Sequence, residues 1–404
     1  MRALILTNEF PPSIYGGAGV HVAELTRHLA PLIELDIRTF GEHDAEAPGR
    51  RVRGYPVAHD LAAADARLRP MLAALSRDIG FVADPVVADV VHCHTWYTHL
   101  AGLLVQLAYR IPLVVTVHSL EPLRPWKREQ LGGGYDVSAW IERTALAAAD
   151  AVIAVSQETR QDVLRHFNVL PEKVQVIHNG IDTDFYRPDP RTDALVRHGV
   201  DPSVPYVLFV GRITRQKGII HLVRAIRHLS PGVGVVLCAG QPDTPEIAAE
   251  MEAGVAEARA ERTNVVWIGE MVSREDARQL YSHASVFCCP SVYEPFGIIN
   301  LEAAACETPV VASAVGGIPE VVVDGETGLL VPVDLSLDDP MAPVDPDRFE
   351  LNLAGAINAL MADPASRDAM GRAARLRAER EFSWASIAAQ TVGLYEAVVP
   401  IPAT

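Results

Sequence analysis

The stretch Tyr206-Val207-Leu208-Phe209-Val210-Gly211-Arg212-Ile213-Thr214-Arg215-Gln216-Lys217-Gly218 decides the fold of this chain. Its first five residues form an apolar run that predicts a strand, and a helical pattern begins directly after it at Ile219. The loop between the two carries three basic side chains. Strand, loop and helix in this order make a βα unit, and the same alternation repeats before and after this stretch.

The alternation forms two series, one in each half of the chain. The strand candidates of the first half are Ala3–Leu6, Leu35–Phe40, Val90–Cys93, Leu113–Val117, Ala151–Val155 and Val174–Ile177. Those of the second half are Tyr206–Val210, Gly234–Ala239, Val265–Ile268, Val286–Cys289, Val310–Ala312 and Gly328–Val331. Helical patterns separate the strands, which predicts parallel sheets, and from about Pro346 the pattern is wholly helical.

The length of 404 residues predicts two domains, because one hydrophobic core rarely grows so large. The best linker is His178-Asn179-Gly180-Ile181-Asp182, which a cluster of prolines follows. We place an N-terminal domain at 1–178, a C-terminal domain at 179–382, and a final helix at 383–404 that packs back on the N-terminal domain. This is an α/β fold of two doubly wound Rossmann-like domains with a helical C-terminal segment. Ligands bind at the carboxyl ends of the strands in such folds, so we expect a cleft between the two sheets.

The composition argues against several classes of function. The formal net charge is −16, from 35 Lys and Arg against 51 Asp and Glu, so binding to nucleic acid or to an anionic membrane is not expected. Five cysteines lie in apolar runs without a C-x-x-C pair, which predicts buried reduced thiols and a cytoplasmic protein. The opening run Met1–Asn8 is too short for a signal peptide, and no stretch approaches the roughly 18–20 apolar residues of a membrane span.

In so acidic a chain, an anionic substrate would need a local cluster of basic groups. The loop after the Tyr206 strand supplies one in Arg212, Arg215 and Lys217. Such a loop can clamp a diphosphate, Arg212 through its planar guanidinium and Lys217 as a point charge. The alternative is a solvated surface loop, and we favour the phosphate site. A P-loop kinase is disfavoured because the glycine and the Ser or Thr of a Walker motif are missing.

Two carboxylates, Glu294 and Glu302, flank the stretch Pro295-Phe296-Gly297-Ile298-Ile299-Asn300-Leu301. On one helix their Cα atoms would be roughly 12 Å apart along the axis, more than the roughly 5–9.5 Å between the paired acids of a glycoside hydrolase. We therefore expect them to contact different parts of one long ligand. Free N–H groups of a helix start lie between them and favour an anion. A nucleotide-sugar fits this arrangement.

Two features of the first half are candidates for the same ligand. Gly16 and Gly17 follow the first strand and open a helix, so the backbone can approach a phosphate closely, although a tight βα turn is the simpler interpretation. His118 follows the Leu113–Val117 strand at the edge that faces the predicted cleft. It is either a structural histidine or one that contacts substrate.

Metal sites are not predicted. His92 and His94 share one strand face, but no carboxylate or third ligand is evident beside them. The segments Asp182-Thr183-Asp184 and Asp345-Pro346-Asp347 spell a D-x-D metal–nucleotide motif, and we interpret them as turn and capping residues. The segment Arg124-Pro125-Trp126-Lys127-Arg128 is either a solvated loop or a lid that offers cations to a phosphorylated acceptor.

Together these residues resemble the family 4 retaining glycosyltransferases of the GT-B type. The Gly16-Gly17 loop, His118, Arg212 with Lys217, and the Glu294–Glu302 element carry the resemblance, in the expected order over nearly the whole chain. Within the family, residues 7–22 and 116–127 look like the bacterial glycogen synthase branch that uses ADP-glucose. The nearest likeness is to enzymes that join ADP-glucose to glucose 1-phosphate, giving α-maltose 1-phosphate.

The resemblance implies a donor site in the C-terminal domain. Arg212 and Lys217 would hold the donor diphosphate and stabilise its charge as ADP leaves. Backbone N–H groups of Gly297, Ile298 and Ile299 would bind phosphate and sugar oxygens at the helix start. No metal ion or other cofactor is expected, because basic side chains and helix dipoles neutralise the charge.

Further roles follow from the same resemblance. Glu294 would orient the donor glucose and support the positive charge that grows at its anomeric carbon. Glu302 would accept a hydrogen bond from the nucleotide ribose. His118 would approach the glucose, and Gly16 and Gly17 would close over the diphosphate. The catalytic set is therefore Glu294 and His118 together with the two basic residues.

One position departs from the pattern of the long glycogen and starch synthases, which carry Lys-x-Gly-Gly, because the lysine position here is Ile14. This favours glucose 1-phosphate as acceptor, and transfer to an α-glucan in glycogen metabolism, in addition or instead, stays open. A glycogen synthase acting mainly on polymer, and a transferase with another nucleotide-sugar donor, remain alternatives. Alternatives from other classes are a sugar-nucleotide epimerase, a nicotinamide-dependent oxidoreductase and a non-catalytic nucleotide-sugar binding protein. The last of these would not need Glu294. A homo-oligomer is compatible with all of them.

Overall fold

The computed structural model describes residues 1–400 except residues 15, 125, 126, 129–131, 241, 271, 337, 338 and 340. The chain divides into two compact units. The first comprises Met1–Gly180 together with the C-terminal segment that begins at Trp384, and the second comprises Ile181–Ser383. The sequence placed these divisions after residues 178 and 382, two residues and one residue earlier.

The first unit is built on a sheet of eight strands. These are β1 (Arg2–Thr7), β2 (Glu34–Phe40), β3 (Ala45–Ala47), β4 (Arg50–Tyr55), β5 (Val90–His94), β6 (Leu113–Val117), β7 (Ala151–Ala154) and β8 (Val174–Val176). The strand order is β3-β4-β2-β1-β5-β6-β7-β8, and only the β3–β4 pair is antiparallel among the described pairs. Its helices are α1 (Gly17–Leu29), α2 (Arg69–Ala83), α3 (His99–Tyr109), α4 (Gly134–Ala148) and α5 (Gln157–His166), with 3-10 turns at Trp96–Thr98, Glu121–Leu123 and Pro171–Lys173.

Both faces of this sheet are buried, which explains the continuous apolar runs of its strands. Side chains alternate along a strand, so Ala3 and Ile5 of β1 enter one hydrophobic cluster while Leu4 and Leu6 enter another. Helices α3 and α4 cover the Leu4 side, whereas α1 covers the Ile5 side. This is the doubly wound arrangement that the sequence predicts.

The second unit contains six parallel strands. These are β9 (Tyr206–Arg212), β10 (Gly234–Gly240), β11 (Val265–Ile268), β12 (Val286–Cys289), β13 (Val310–Ser313) and β14 (Gly328–Val331), in the order β11-β10-β9-β12-β13-β14. Its helices are α6 (Asp193–Arg197), α7 (Ile219–Ala225), α8 (Pro245–Glu261), α9 (Arg274–His283), α10 (Ile298–Ala305), α11 (Ile318–Val321), α12 (Pro346–Ala362) and α13 (Pro364–Glu381), with a 3-10 turn at Ile226–His228. The predicted α/β fold with two Rossmann-like sheets is therefore confirmed.

Helix α14 (Trp384–Val398) returns to the first unit. It packs on α1, and Trp384, Ile387 and Tyr395 join the cluster that contains Ile5. An added Cβ at Gly180 would lie 2.5 Å from the Trp384 ring, so only glycine allows this packing. The helical C-terminal segment thus completes one face of the first sheet.

Each sheet has a point where the strand order reverses. The chain winds from β1 to β2 on one side and places β5 on the other, and in the second unit it winds from β9 to β10 before placing β12 on the opposite side. Loops that follow the two strands at such a point diverge and leave a crevice at the carboxyl edge. Each unit therefore offers one crevice of its own, at β1–β5 and at β9–β12.

The structure confirms all twelve predicted strands to within two residues and adds elements that the sequence analysis missed. Strands β3 and β4 and helix α2 occupy a stretch to which no element was assigned. All five cysteines are free and buried, as predicted. In the part of the chain that the structure describes, no helix has both the length and the apolar character needed to cross a bilayer.

The two D-x-D segments are turn and capping residues, as interpreted. Asp182 Oδ1 accepts hydrogen bonds from the backbone N–H groups of Asp184 and Phe185, at 3.1 and 3.0 Å. Asp345 Oδ1 accepts one from the N–H of Arg348, at 3.0 Å, and so caps α12.

Candidate functional site

The basic loop and the first carboxylate meet in the second unit because β9 and β12 are neighbours. The backbone N–H of Val292 donates to the carbonyl of Gln216 at 2.9 Å, which ties the loop after β12 to the loop after β9. Gly218 has a positive φ of 62°, and an added Cβ would lie 2.0 Å from the carbonyl oxygen of Pro290. The two loops therefore pack backbone against backbone, which positions the side chains that they carry.

An ion pair joins the two loops. Lys217 Nζ donates to Glu294 Oε2 at 2.6 Å, and Ser291 Oγ donates to the same oxygen at 3.3 Å. The Lys217 side chain is 19% exposed and that of Glu294 is 9% exposed. Burial is the largest influence and lowers the pKa of Lys217, but the charge and hydrogen bond of Glu294, together with Cys289, outweigh it and the net shift is upward. Lys217 thus stays cationic, and its remaining N–H groups can reach a bound anion.

Arg212 ends β9 on the same loop. Its Nη1 donates to Asp243 Oδ1 at 3.0 Å, and about a quarter of its side chain is exposed. A guanidinium carries five N–H donors, so the contact with Asp243 orients the group and leaves it able to bind phosphate. The structure therefore brings Arg212 and Lys217 to one edge of the sheet.

Glu294 lies before helix α10 and Glu302 lies within it, so the two acids do not share one helix. Gly297 is in the left-handed region with φ 96°, and the helix begins at Ile298 without a hydrogen-bonded side-chain cap among the described residues. The first N–H groups of α10 are accordingly suited to an anion. This places the predicted donors Gly297, Ile298 and Ile299 at the helix start, next to Glu294.

A glycine pair that the sequence analysis missed fixes the backbone of Glu294. The N–H of Gly317 donates to the carbonyl of Glu294 at 3.0 Å, and an added Cβ at Gly316, whose φ is 54°, would lie 2.0 Å from that oxygen. Because β13 lies beside β12, its following loop reaches Glu294. The pair Gly316-Gly317 after a strand was the available signal.

Glu302 is held by two tyrosines that the sequence did not single out. Tyr186 Oη donates to Glu302 Oε1 and Tyr281 Oη donates to Oε2, both at 2.9 Å. Burial raises the pKa of Glu302 and outweighs these hydrogen bonds, which oppose the shift. Each carboxylate oxygen keeps a second lone pair, so Glu302 can still accept from a ligand hydroxyl.

In the first unit, the glycines follow β1 and open α1. The N–H of Gly16 donates to Glu9 Oε2 at 2.8 Å, and Gly17 is the first residue of the helix. A carboxylate of the chain itself therefore faces the helix start that the sequence assigned to a diphosphate. Tyr15, in the same motif, lies outside the described residues.

His118 belongs to a group of three histidines. It follows β6, His94 ends the neighbouring strand β5, and His21 projects from α1. His94 Nδ1 and His118 Nε2 lie within hydrogen-bond distance at 3.1 Å, and the rings of His21 and His118 meet edge to face with centroids 4.7 Å apart. Burial lowers the pKa of His21 to about 4 and takes the pKa of the other two well below the usual value. All three rings are therefore neutral near pH 7.

His92 does not join a metal site with its strand neighbour. Its Nδ1 lies 2.6 Å from Tyr395 Oη and its Nε2 lies 2.7 Å from Thr116 Oγ1, so both ring nitrogens are engaged. His21, which lies 73 positions before His94 in the chain, is the histidine that sequence reasoning missed. No local pattern pointed to it, because only the packing of α1 on the sheet brings its ring to within 5.5 Å of the His94 ring.

The proposed lid begins at Arg124, whose Nη1 donates to Ser119 Oγ at 3.1 Å and lies 3.6 Å from Glu121 Oε1. Pro125 and Trp126 lie outside the described residues. Arg124 is thus anchored close to His118 in sequence, while the lid itself stays a prediction.

Two family models match the chain. The model of Glycosyltransferase Family 4 matches residues 15–185, and that of Glycosyl transferases group 1 matches residues 191–341. The division between the two matches falls near the division between the two units.

Close relatives match over almost the full length. The chain is 52% identical to a protein of Mycolicibacterium smegmatis named alpha-maltose-1-phosphate synthase, over 98% of this chain and 100% of that one. It is 50% identical to a Mycobacterium tuberculosis protein of the same name, with the same coverage.

The fold has solved counterparts. Sucrose-phosphate synthase from Thermosynechococcus elongatus superposes with a TM-score of 0.79 at 27% identity, over 98% of this chain and 99% of that one. Its two-sheet architecture is the one described above. The chain therefore belongs to the family 4 glycosyltransferases, which transfer a sugar from a nucleotide-sugar donor, and has the GT-B fold.

Proposed function

We propose that this enzyme transfers glucose from ADP-glucose to glucose 1-phosphate, with retention at the anomeric carbon, to give α-maltose 1-phosphate and ADP. The observation that carries the transfer chemistry is the Lys217–Glu294 ion pair, 2.6 Å long, at the carboxyl edge of β9 and β12. The choice of glucose 1-phosphate as acceptor is supported by the name of relatives that are 50–52% identical over nearly the whole chain.

In the transfer, the bond between the anomeric carbon and the diphosphate oxygen breaks. A bond from that carbon to the 4-hydroxyl oxygen of the acceptor glucose forms, and the hydroxyl proton is released. Negative charge grows on the departing ADP. Lys217, Arg212 and the N–H groups at the start of α10 are assigned the role of stabilising it, and removing one such donor costs roughly 10²–10³ in rate at comparable sites.

Glu294 supports the positive charge that develops at the anomeric carbon, and its contact with Lys217 couples the two ends of the breaking bond. Glu302 accepts from the ribose through the lone pairs that Tyr186 and Tyr281 leave open. In the first unit His118, neutral because burial lowers its pKa, is assigned to the glucose hydroxyls.

Gly16 and Gly17 are assigned to the diphosphate in this proposal. The Glu9 carboxylate that accepts from Gly16 would then have to give way to the phosphate, or share the helix start with it. No metal ion or other cofactor takes part. The five buried reduced cysteines favour a cytoplasmic setting, in which ADP-glucose and glucose 1-phosphate can meet the enzyme.

The test offers the purified enzyme ADP-glucose or UDP-glucose, each with glucose 1-phosphate or glycogen, in the presence of EDTA. We expect a phosphorylated disaccharide from ADP-glucose and glucose 1-phosphate, with an α-1,4 linkage by NMR. Elongated glycogen without the disaccharide would move the assignment to a glycogen synthase. Product only from UDP-glucose would overturn the donor.

A further inference from the structure

The three histidines of the first unit lie close enough to hold one metal ion. One ring nitrogen from each of His21, His94 and His118 lies within 4.8 Å of the others. His94 Nδ1 and His118 Nε2 are 3.1 Å apart. In a tetrahedral zinc site with bonds of about 2.0–2.1 Å, two ligand nitrogens are about 3.3 Å apart. The separation of this pair is therefore already close to that of two ligands of one zinc ion.

His21 has one ring nitrogen engaged and the other available to a metal ion. Its Nδ1 lies 2.6 Å from Asn179 Oδ1, an acceptor that fixes the proton on Nδ1. Its Nε2 is buried and has no hydrogen-bond partner among the described residues. Histidines that bind metals through one nitrogen usually donate from the other to a carboxylate or a carbonyl oxygen. Asn179 supplies that contact here.

The three histidines are carried by or directly follow regular elements of the first unit, and one of them is partly accessible to solvent. The three residues come from α1, the end of β5 and the residue after β6, all at the crevice of the first sheet. His21 and His94 are buried, whereas His118 is half-buried. An ion can therefore reach the group from the His118 side.

We propose that His21, His94 and His118 form a binding site for one transition-metal ion that prefers imidazole, such as Zn²⁺, with water in the fourth position. The site goes beyond the proposed function, which needs no metal. Where His118 contacts the substrate sugar, as that function assumes, the bound ion withdraws it and inhibits the transfer. Only this inhibition rests on the proposed function; the metal site itself does not.

The test titrates the full chain, after treatment with EDTA, with Zn²⁺ by calorimetry and with Co²⁺ by visible absorption. We expect one ion per chain and the d–d bands of tetrahedral Co²⁺. His94→Gln should weaken Zn²⁺ binding at least 100-fold, since losing a ligand costs no less than the roughly 10–100-fold lost with a supporting contact. The matched control His166→Gln, at an exposed histidine of α5, should bind as the wild type does.

Two further variants keep the proposal testable if His94→Gln fails to fold. Asn179→Leu removes the contact to His21 Nδ1 and should weaken Zn²⁺ binding about 10–100-fold, whereas Asn179→Asp should preserve or strengthen it. Absence of stoichiometric binding, or equal binding by the wild type and Asn179→Leu, would overturn the site. Binding without inhibition of sugar transfer would keep the site and overturn the role given to His118.

Discussion

The ion pair between Lys217 and Glu294 is the residue-scale feature on which the proposed chemistry depends. Its partners are 77 positions apart, and neither would be favourable alone at this depth, because an unpaired buried charge is costly. The pair is stable without ligand, since Glu294 raises the pKa of Lys217 against the effect of burial. A diphosphate can then bind to a cation that is already in place.

Lys217→Ala should lose about 10²–10³ in turnover, because one well-aimed donor to the leaving group is removed. The variant should still fold, but with a lowered Tm, because Glu294 loses its buried partner. Steady-state kinetics with ADP-glucose and glucose 1-phosphate give the loss, and thermal unfolding reports the fold. Arg2→Ala is the matched control, since Arg2 also pairs with a glutamate, Glu34, at 2.5 Å but with both side chains exposed. A Lys217→Ala enzyme as active as the control would contradict the assignment.

Glu294→Gln should lower turnover by about 10², because the amide keeps the shape of the side chain but cannot balance positive charge at the anomeric carbon. A second effect follows from the ion pair. Without the carboxylate, burial and the nearby charge of Arg212 lower the pKa of Lys217 with less to oppose them, so its pKa should fall and the alkaline limb of the pH–rate profile should move to lower pH. The exposed Glu275→Gln on α9 serves as control. An unmoved alkaline limb would show that the two residues are not coupled.

At the scale of elements, the site depends on how tightly two strand–helix loops approach. Gly218 caps α7 with φ 62° and leaves no room for a Cβ beside Pro290. Gly316, with φ 54°, likewise leaves no room for a Cβ beside the carbonyl oxygen of Glu294. Glycine at both positions permits close backbone contact between neighbouring loops. This contact positions the charged side chains that the loops carry.

Gly218→Ala should therefore destabilise the second unit and impair transfer together. The left-handed backbone costs roughly 1–2 kcal/mol for a residue with a Cβ, and the clash with Pro290 adds to it. Gly232→Ala is the control, because Gly232 also has a positive φ, 83°, but no atom lies within 4 Å of its added Cβ. Denaturant unfolding should show a lower free energy of unfolding in both variants, because both place a Cβ in the left-handed region. Kinetics should show lost activity only in Gly218→Ala. Normal activity in Gly218→Ala would mean that the loop contact does not position Lys217.

The sequence predicted the elements well wherever the apolar pattern was strong. It missed β4 because Arg50-Arg51-Val52-Arg53-Gly54-Tyr55 buries only two side chains and reads as a polar loop. It missed α2 because that helix has no hydrogen-bonded side-chain cap among the described residues and contains Gly80. Both lie near the edge of the sheet, where burial on one side only leaves a weak signal.

The candidate site was predictable in its motifs but not in its contacts. The basic loop and the two carboxylates stand out in the sequence because each carries charge at the end of a predicted strand. The tyrosines on Glu302, and the approach of His21 to His118, depend on strand order and on where a helix docks. Sheet order is set by tertiary packing, so a single sequence does not reveal it.

At the scale of the whole molecule, the chain passes from the second unit to the first between Ser383 and Trp384. One aromatic residue on each side of this point allows a test of the division. Trp384 is buried in the first unit beside His21, and Phe382 is buried in the second beside Phe296. Each change to alanine should cost about 3–5 kcal/mol. Hydrogen exchange should show lost protection in the first unit for Trp384→Ala and in the second for Phe382→Ala. Equal losses in both units from either variant would contradict the division.

Histidines with a pKa lowered by burial are concentrated in the first unit. His21, His92, His94, His99 and His118 all have a pKa lowered by burial, and all lie in this unit. In the unfolded chain such groups take up protons below about pH 6.5, whereas the folded unit resists protonation until lower pH. The free energy of unfolding should therefore decrease as the pH is lowered through this window. The decrease is about 1.4 kcal/mol per pH unit for each histidine that stays neutral in the folded state.

His99 isolates this effect, since both its ring nitrogens are buried without a hydrogen-bond partner among the described residues, and burial lowers its pKa to about 3. With an unfolded pKa near 6.5, it should cost about 2 kcal/mol at pH 5 relative to pH 7.5, or about 4–8 °C in Tm for a unit of roughly 200 residues. His99→Leu should remove that share, so its calorimetric Tm should fall less than the wild type's between these pH values. The exposed His166→Leu should follow the wild type. A His99→Leu protein with the wild-type acid sensitivity would mean that His99 is protonated in the folded state, or reaches solvent before the unit unfolds.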